Sequence, residues 1–441
     1  MWSKLGASAA GAGIIGGAAY LRYTFPRWPE LPGPSRVHSL RYRVPGGVDS
    51  QIFYPADAPA LGVAPYARDA AIDGLARWTG RPLWFLSFLL QDRAPPLTAP
   101  NAASPPPVYE ACRAQAAAST ASDDTPVLIF THGLGGSYEQ YSALCSAIAS
   151  FGVVVVALEH DDGSGSFALR APDGPPVFYT KVPADLDYTT RSNVVDFRAP
   201  FLRRRLADIA AVCKHREALA ARSGAAAARS GSEGDDDERA RTALAEALLG
   251  GAGATLLAGH SFGGATAYLA VQEAARGGAG GLFAAPFAGC LLMDFWPYPL
   301  PEEAVREGLA PSRTPTLIMQ SQQFVENDEN PLTQRIVANS RTGTEADRAL
   351  LPVFLGGSRH QSWADAVFWL PEELIRGLRI AGQAPVADVF STIVAGSVRW
   401  LQSCLDADRA AALEQARRDI AGMPHVEPLP EDAAAARAIE Q

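Results

Sequence analysis

From residue 126 onward, short unbroken apolar runs alternate with segments of helical period. Pro126 to Phe130, Val153 to Leu158, Thr255 to Ala258, Phe287 to Met293, Thr316 to Ser321 and Val353 to Leu355 each read as a strand buried on both faces. Between the first two, Tyr141, Leu144, Cys145 and Ile148 recur at helical spacing until Phe151-Gly152 ends the run. Strand, helix and strand in that order make a βαβ unit, whose crossover is right-handed almost by rule. Asp196 to Ala220 is charged, yet it keeps Phe197, Phe201, Leu206, Ile209 and Val212 on one side, the pattern of an amphipathic helix. Further helices are expected from about 371 to 382 and from Val386 to Leu405. Upstream, Val37 to Pro55 alternates polar and apolar positions around Gly46-Gly47, as a hairpin at an antiparallel edge does. The pattern predicts an α/β fold, with a mostly parallel central sheet, helices on both faces and an antiparallel N-terminal edge.

Other stretches break the pattern. Residues 1–36 form an apolar and basic segment followed by a Pro- and Arg-rich linker, 37–410 the main domain, and 411–441 a helix with a loose tail. Within the main domain, 221–243 has no period, runs into Asp235-Asp236-Asp237-Glu238, and reads as a disordered surface insertion. Leu83-Trp84-Phe85-Leu86-Ser87-Phe88-Leu89-Leu90 is apolar almost all round, between Arg81 and Arg93. It suits either a core helix or one that lies in a lipid interface.

Composition narrows the choice. The chain has 441 residues, 48% hydrophobic and 19% charged, which suits a globular protein. A net charge of -9 without a basic block argues against a nucleic-acid partner. The scattered cysteines, with Cys145, Cys213 and Cys290 inside apolar runs, point to buried thiols rather than a disulfide framework. No spacing typical of a metal site occurs, and no cofactor is expected. Leu5 to Leu21, mostly Gly and Ala after Lys4, is barely long enough to span a bilayer; a signal peptide, a weak anchor and a surface tail all remain open. Trp2 excludes N-myristoylation.

The chemistry gathers at strand ends. The run Thr255 to Ala258 meets Gly259-His260-Ser261-Phe262-Gly263 and then small helix-compatible residues. That is the strand, tight turn and helix of a nucleophile elbow, with Ser261 at its tip. Asp294 ends the strand after it, and His360 follows the last one. Nucleophile, acid and histidine thus occur in the chain order of the α/β-hydrolase fold. Serine needs a base to take its proton, and an imidazole with a pKa near ~6.5 suits that task. A carboxylate then fixes the imidazole tautomer. Asp294 could instead cap a helix, and His360 could be structural. Glu159 and His160, also at a strand end, are rivals that precede Ser261 in the chain. The oxyanion donors are expected from the N–H of Phe262 and, in His132-Gly133-Leu134-Gly135-Gly136, from that of Leu134. A phosphate cradle is the minor reading of that loop, which lacks the Lys-Ser/Thr of a P-loop.

Several blocks resemble a known family. Phe130-Thr131-His132-Gly133-Leu134-Gly135, Val156-Ala157-Leu158-Glu159-His160, Gly259 to Thr266, Leu292-Met293-Asp294-Phe295-Trp296 and Gly357 to Asp365 are similar to the platelet-activating factor acetylhydrolases of the plasma and intracellular type II kind. The resemblance spans roughly residues 38–405, with gaps. It implies Ser261 as nucleophile, Asp294 and His360 as its partners, and Leu134 and Phe262 as oxyanion donors. It also implies a calcium-independent, cofactor-free phospholipase of the A2 type that removes acetyl, short or oxidised sn-2 acyl groups. A lipid surface would be met through apolar helices at about 83–90 and 374–380, the latter with Leu374, Ile375, Leu378 and Ile380. A cytoplasmic protein associated with membranes from outside fits, and secretion or anchoring through residues 1–21 is the alternative. A general carboxylesterase and a catalytically dead lipid-binding protein are the competing readings.

Overall fold

The structure, a computed structural model, describes residues 17, 20–56, 65–96, 125–171, 174–223, 236–277, 281–309, 314–326, 330–341 and 349–430. Most of the N-terminal apolar segment, Cys112 and the final residues 431–441 lie outside them. In chain order, β1 (Val37–Arg43) and β2 (Asp49–Pro55) form the expected hairpin, with Val37 opposite Pro55 and Arg43 opposite Asp49. The helices α1 (Asp69–Thr79) and α2 (Leu83–Leu90) follow. Next come β3 (Val127–Thr131), α3 (Ser142–Ala149) and β4 (Val154–Leu158), the βαβ unit. A separate two-stranded ribbon, β5 (Phe167–Leu169) and β6 (Pro176–Phe178), precedes the long α4 (Arg191–Ser223) and then α5 (Asp236–Leu249). The elbow joins β7 (Thr255–His260) to α6 (Phe262–Arg276). The chain continues through β8 (Cys290–Met293), α7 (Glu302–Glu307), β9 (Thr316–Ser321), α8 (Gln322–Val325), α9 (Asn330–Ser340) and β10 (Leu350–Leu355). It closes with α10 (Glu372–Gly377), α11 (Val386–Leu405), α12 (Arg409–Ala421) and β11 (Val426–Pro428).

Among the described residues the sheet has nine strands in the order β1-β2-β4-β3-β7-β8-β9-β10-β11. From β4 to β10 all neighbours are parallel, and the hairpin and β11 add antiparallel edges. Successive residues of a strand point to opposite faces, and here both faces are covered. Leu128, Phe130 and Val155 join α3, α11 and α12 on one side. Val127, Ile129 and Val156 join α4, α6 and α9 on the other. This is the α/β-hydrolase architecture, and it explains why its strands read as continuous apolar runs. Every parallel strand ends on the same rim, where the site residues sit.

Four local expectations change. The stretch 236–243, expected to be irregular, lies in α5, where Ala245 and Leu249 are buried against the sheet-covering helices; residues 224–235 of the insertion lie outside the described residues. Tertiary burial of two apolar positions outweighs the polar composition there. The expected helix from 371 to 382 is helical only over Glu372–Gly377, and Arg379 then takes a positive φ of 58°. Residues 426–428, expected to belong to a loose tail, form a strand instead, because Val426–Pro428 pairs with Val353–Leu355. That last strand also starts at Leu350 rather than Val353. The described cysteines, Cys145, Cys213, Cys290 and Cys404, are free thiols. Among the described residues, no helix is long and apolar enough to cross a membrane.

Leu83 to Leu90 is neither wholly core nor wholly exposed. Leu86, Leu89 and Leu90 pack with Ile72, Leu75 and Tyr66, while Trp84 remains 73% exposed. Phe85 and Phe88 are half-buried. Arg93 is not a free flanking cation, since its side chain donates to the carbonyls of Leu89 (2.9 Å) and Arg22. In α10 and the turn after it, Leu374 (49%) and Leu378 (50%) are exposed, but Ile375 is buried and Ile380 half-buried.

Candidate active site

The elbow is built from close approach. Ser261 sits between β7 and α6 with φ 57° and ψ −121°, a left-handed conformation that non-glycine residues adopt at a cost. Sheet pairing keeps it there: its N–H donates to the Met293 carbonyl (3.0 Å), and its own carbonyl accepts from Trp296 (3.0 Å) and Ala265 (3.1 Å). Two glycines make room. A Cβ on Gly259 would lie 2.2 Å from the Gly263 carbonyl oxygen, and one on Gly263 would lie 2.0 Å from that of Thr131. Gly263→Ala is therefore expected to cost about 3 kcal/mol or more, read as a fall in the thermal midpoint. An unchanged midpoint would show that β3 can yield.

Ser261, His360 and Asp294 come together as expected. Ser261 Oγ lies 3.0 Å from Nε2 of His360, and Nδ1 of His360 lies 2.7 Å from Asp294 Oδ2. A carboxylate only accepts, so Nδ1–H donates to Asp294 and Nε2 is left to accept the serine proton. Asp294 is fully buried and His360 partly open, which puts the fixed charge inside and the exchanging proton outside. Asp294 has a positive φ of 43° and caps no helix. Its Oδ1 accepts from the Ser321 N–H (2.6 Å) and its Oδ2 from the Ser321 hydroxyl (2.8 Å).

Ser321 opens a clamp that sequence reasoning missed. In α8 the Gln323 side chain accepts from the His360 N–H (3.1 Å), and that of Gln322 accepts from Gly357 (2.6 Å). The Phe324 ring stacks on the His360 imidazole, 4.5 Å away and 9° from parallel. His260 covers the other side at 4.5 Å. The usable signal was that β9 neighbours β8, so its end residue must fall beside Asp294. No motif announces this.

His260 links the two halves of the site. Tyr141 accepts from the Gly133 N–H (3.2 Å) and lies 2.9 Å from His260 Nδ1, while His260 Nε2 lies 2.9 Å from the His360 carbonyl. A carbonyl only accepts, so Nε2 carries the proton and Nδ1 takes the Tyr141 O–H. Burial, with the neighbouring His360, pushes the His260 pKa well below its usual value and keeps the ring neutral, as this pattern needs.

The loop after β3 lies against Ser261: a Cβ on Gly133 would come within 3.0 Å of Ser261 Cβ. The N–H groups of Leu134 and Phe262 donate to no protein group among the described residues. Phe262 is the first residue of α6, where helix geometry leaves the N–H free. The Gly135 N–H donates to Ser164 (2.8 Å), and buried Arg205 donates to the His132 carbonyl (2.5 Å) while pairing with Asp162 (3.2 Å). Two free N–H donors next to a base-paired hydroxyl can hold an ester carbonyl while it becomes an oxyanion. The loop carries no phosphate-binding lysine.

Glu159 and His160 lie apart from this group. Glu159 pairs with Arg68, as Glu139 does (2.6 Å); burial raises its carboxyl pKa, and the Arg68 guanidinium opposes that rise. His160 lies 2.8 Å from Asp208 and 2.7 Å from Thr131, and burial keeps it neutral. Asp365 accepts from the first N–H groups of α3, Ser142 and Ala143, both at 3.0 Å. Among the described residues, potential metal ligands cluster only at His260, Asp294 and His360, within 4.8 Å of one another. Their ring nitrogens and carboxylate oxygens are those engaged above.

The family model described as platelet-activating factor acetylhydrolase, isoform II, matches residues 107–421. A protein of Schizosaccharomyces pombe, named provisionally as a phospholipase A2, is 27% identical over 313 residues, or 63% of this chain and 67% of that protein. A protein of Gallus gallus named platelet-activating factor acetylhydrolase is 24% identical over 300 residues, or 64% of this chain and 63% of that protein. The chain thus spans about two thirds of the length of both relatives. The solved structure of a ferulic acid esterase from Streptomyces cinnamoneus is 19% identical, covering 92% of this chain and 95% of that one, with a TM-score of 0.44.

Proposed function

We propose, on the premise that the chain belongs to the platelet-activating factor acetylhydrolase isoform II family, that it is a serine esterase which removes acetyl or other short or oxidised sn-2 acyl groups from phospholipids. The observation that carries this reading is the hydrogen-bonded series Ser261, His360, Asp294 beside the free N–H groups of Leu134 and Phe262. In this mechanism Ser261 Oγ attacks the ester carbonyl carbon as its proton passes to Nε2 of His360. The oxyanion takes the N–H groups of Leu134 and Phe262, each worth roughly 3 kcal/mol in the transition state. Asp294 stabilises the imidazolium. Collapse breaks the bond to the glycerol oxygen, which leaves with the proton from Nε2 as the lysophospholipid. Water, deprotonated by the same nitrogen, then attacks the acyl-serine and releases the carboxylic acid.

The decisive assay compares purified protein on sn-2 acetyl and sn-2 long-chain phosphatidylcholines with p-nitrophenyl acetate. The acetyl phospholipid should be cleaved far better than the long-chain one. Cleavage of the nitrophenyl ester alone would instead favour a general carboxylesterase.

The exposed apolar residues support contact with a lipid surface through Leu83 and Trp84 of α2, Leu374 of α10 and Leu378 just after it. Transferring one such side chain out of water gains about 2 kcal/mol. Trp84→Ala with Leu378→Ala is expected to weaken binding to phosphatidylcholine vesicles at least ~10-fold. Both side chains stand mainly in solvent, so the thermal midpoint should hardly move. Sedimentation of vesicles decides it, and unchanged binding would remove these residues from the interface.

A further inference from the structure

Buried arginines are tolerated when their charge and donors are met. Arg205 is fully buried and pairs with Asp162 (3.2 Å), while Arg68 lies between Glu139 and Glu159. Among the described residues Arg216 has no carboxylate partner, but it donates to the carbonyls of Leu249 (3.1 Å), Gly251 (3.4 Å) and Gly253 (2.9 Å). Arg198 differs from all three. It is 1% exposed on α4, and among the described residues it forms no ion pair and donates to two phenols: Nε to Tyr188 (2.7 Å) and one terminal nitrogen to Tyr179 (2.8 Å). The other terminal nitrogen, Nη1, is buried without a partner. The rings of Phe197 (4.8 Å), Phe201 (5.4 Å) and Phe262 (6.0 Å) surround the guanidinium. Ring faces attract a cation but give Nη1 no acceptor oxygen.

The position is as telling as the shortage. Phe262 follows Ser261 directly, and its N–H is one of the two free donors; Arg198 lies against the ring of this same residue, 6.0 Å from its centroid. Tyr179 lies 6.3 Å from Trp78, whose indole occupies the place that a Cβ on Gly135 would need in the donor loop. Tyr179 and Tyr188 are half-buried and belong to the stretch between β6 and α4, most of which is exposed.

We propose that Arg198 is the seat of a phosphate-binding subsite beside the reaction centre, taking the phosphodiester of the substrate once the two phenols give way. This deepens the phospholipid reading above and rests on it. The phosphate of such a substrate sits on the glycerol carbon next to the one bearing the sn-2 ester, so a cation packed on Phe262, the residue after the nucleophile, suits it. Exchanging a neutral phenol acceptor for an anionic oxygen is favourable, because a charge-assisted hydrogen bond is roughly twice as strong as a neutral one. The anion would also supply the acceptor that Nη1 lacks.

The test uses the full chain and two probes, glycerophosphocholine and inorganic phosphate, as competitors of p-nitrophenyl acetate hydrolysis. Glycerophosphocholine should compete with the wild type. Arg198→Gln should abolish that competition and lower kcat/KM for the sn-2 acetyl phospholipid, chiefly through KM, by roughly 10- to 100-fold more than for p-nitrophenyl acetate. Arg198→Lys keeps the cation, so it should fall between the two and serves if the glutamine variant does not fold. Parallel losses on both substrates, or competition that persists without Arg198, would overturn the subsite. Competition by inorganic phosphate but not by glycerophosphocholine would overturn the phosphodiester assignment. If the wild type leaves the phospholipid intact, the substrate reading falls, and Arg198-dependent competition still decides whether the subsite exists.

Discussion

Hydrolysis of a short-chain ester by Ser261→Ala is expected to fall by roughly 10⁵- to 10⁶-fold, with the fold intact. The hydroxyl's hydrogen-bond partner is the His360 imidazole (3.0 Å), and the strained backbone is held by main-chain bonds to Met293 and Trp296. Removing Oγ therefore removes the attacking atom and little of the packing. The oxyanion donors stay in place, which leaves only the residual acceleration that they and binding provide. Mass spectrometry after organophosphate treatment gives an independent check, because Ser261 alone should carry the adduct. More than a trace of wild-type turnover in the alanine variant would sink the nucleophile assignment.

Asp294→Asn should cost about 10⁴-fold in kcat. The carboxylate accepts from the Ser321 N–H, the Ser321 hydroxyl and His360 Nδ1–H at once. An amide has a single acceptor oxygen, so at least one of these donors loses its partner, and the NH₂ group turned toward Nδ1 would favour the wrong imidazole tautomer. Glu159→Gln and Asp365→Asn are the controls. The first carboxylate neutralises Arg68 and the second caps α3, so both should act on the thermal midpoint more than on kcat. A Glu159→Gln variant as inactive as Asp294→Asn would require the acid to be reassigned.

Much of this was legible before any coordinates, for a physical reason. Strands covered on both faces leave continuous apolar runs, and a parallel sheet sends all its strand ends to one rim. Ser261, Asp294 and His360 could thus be located by counting strand ends. What stayed hidden depends on contacts across long sequence separations. Ser321 reads as the last residue of an apolar run, and nothing local says that it donates twice to Asp294. Phe324 and Gln323 lie in a helix too short to show a period. Arg198 reads as one basic residue in a charged helix; that no carboxylate among the described residues meets it appears only when α4 is packed on α6. The face of α2 was ambiguous for another reason. Leu86 and Trp84 are equally apolar, and only the neighbouring α1 decides which of them is covered.

The short strand at the C-terminal side of the sheet has a bearing on how the protein can be handled. Val426–Pro428 covers the outer edge of β10, whose sequence Leu350-Leu351-Pro352-Val353-Phe354-Leu355 carries no charge. At the opposite border, β1 carries Arg41 and Arg43, side chains that discourage another strand from adding. The border at β10 has no such guard of its own and depends on three residues, Glu427 and Pro428 among them. A chain cut after Met423 would leave that border bare, and self-association through it is the expected outcome, visible as early elution in size exclusion. A shortened chain that stays monomeric would show that Pro352 alone keeps other strands away. Fusion partners and affinity tags are then better joined well beyond Leu429 than trimmed close to α12.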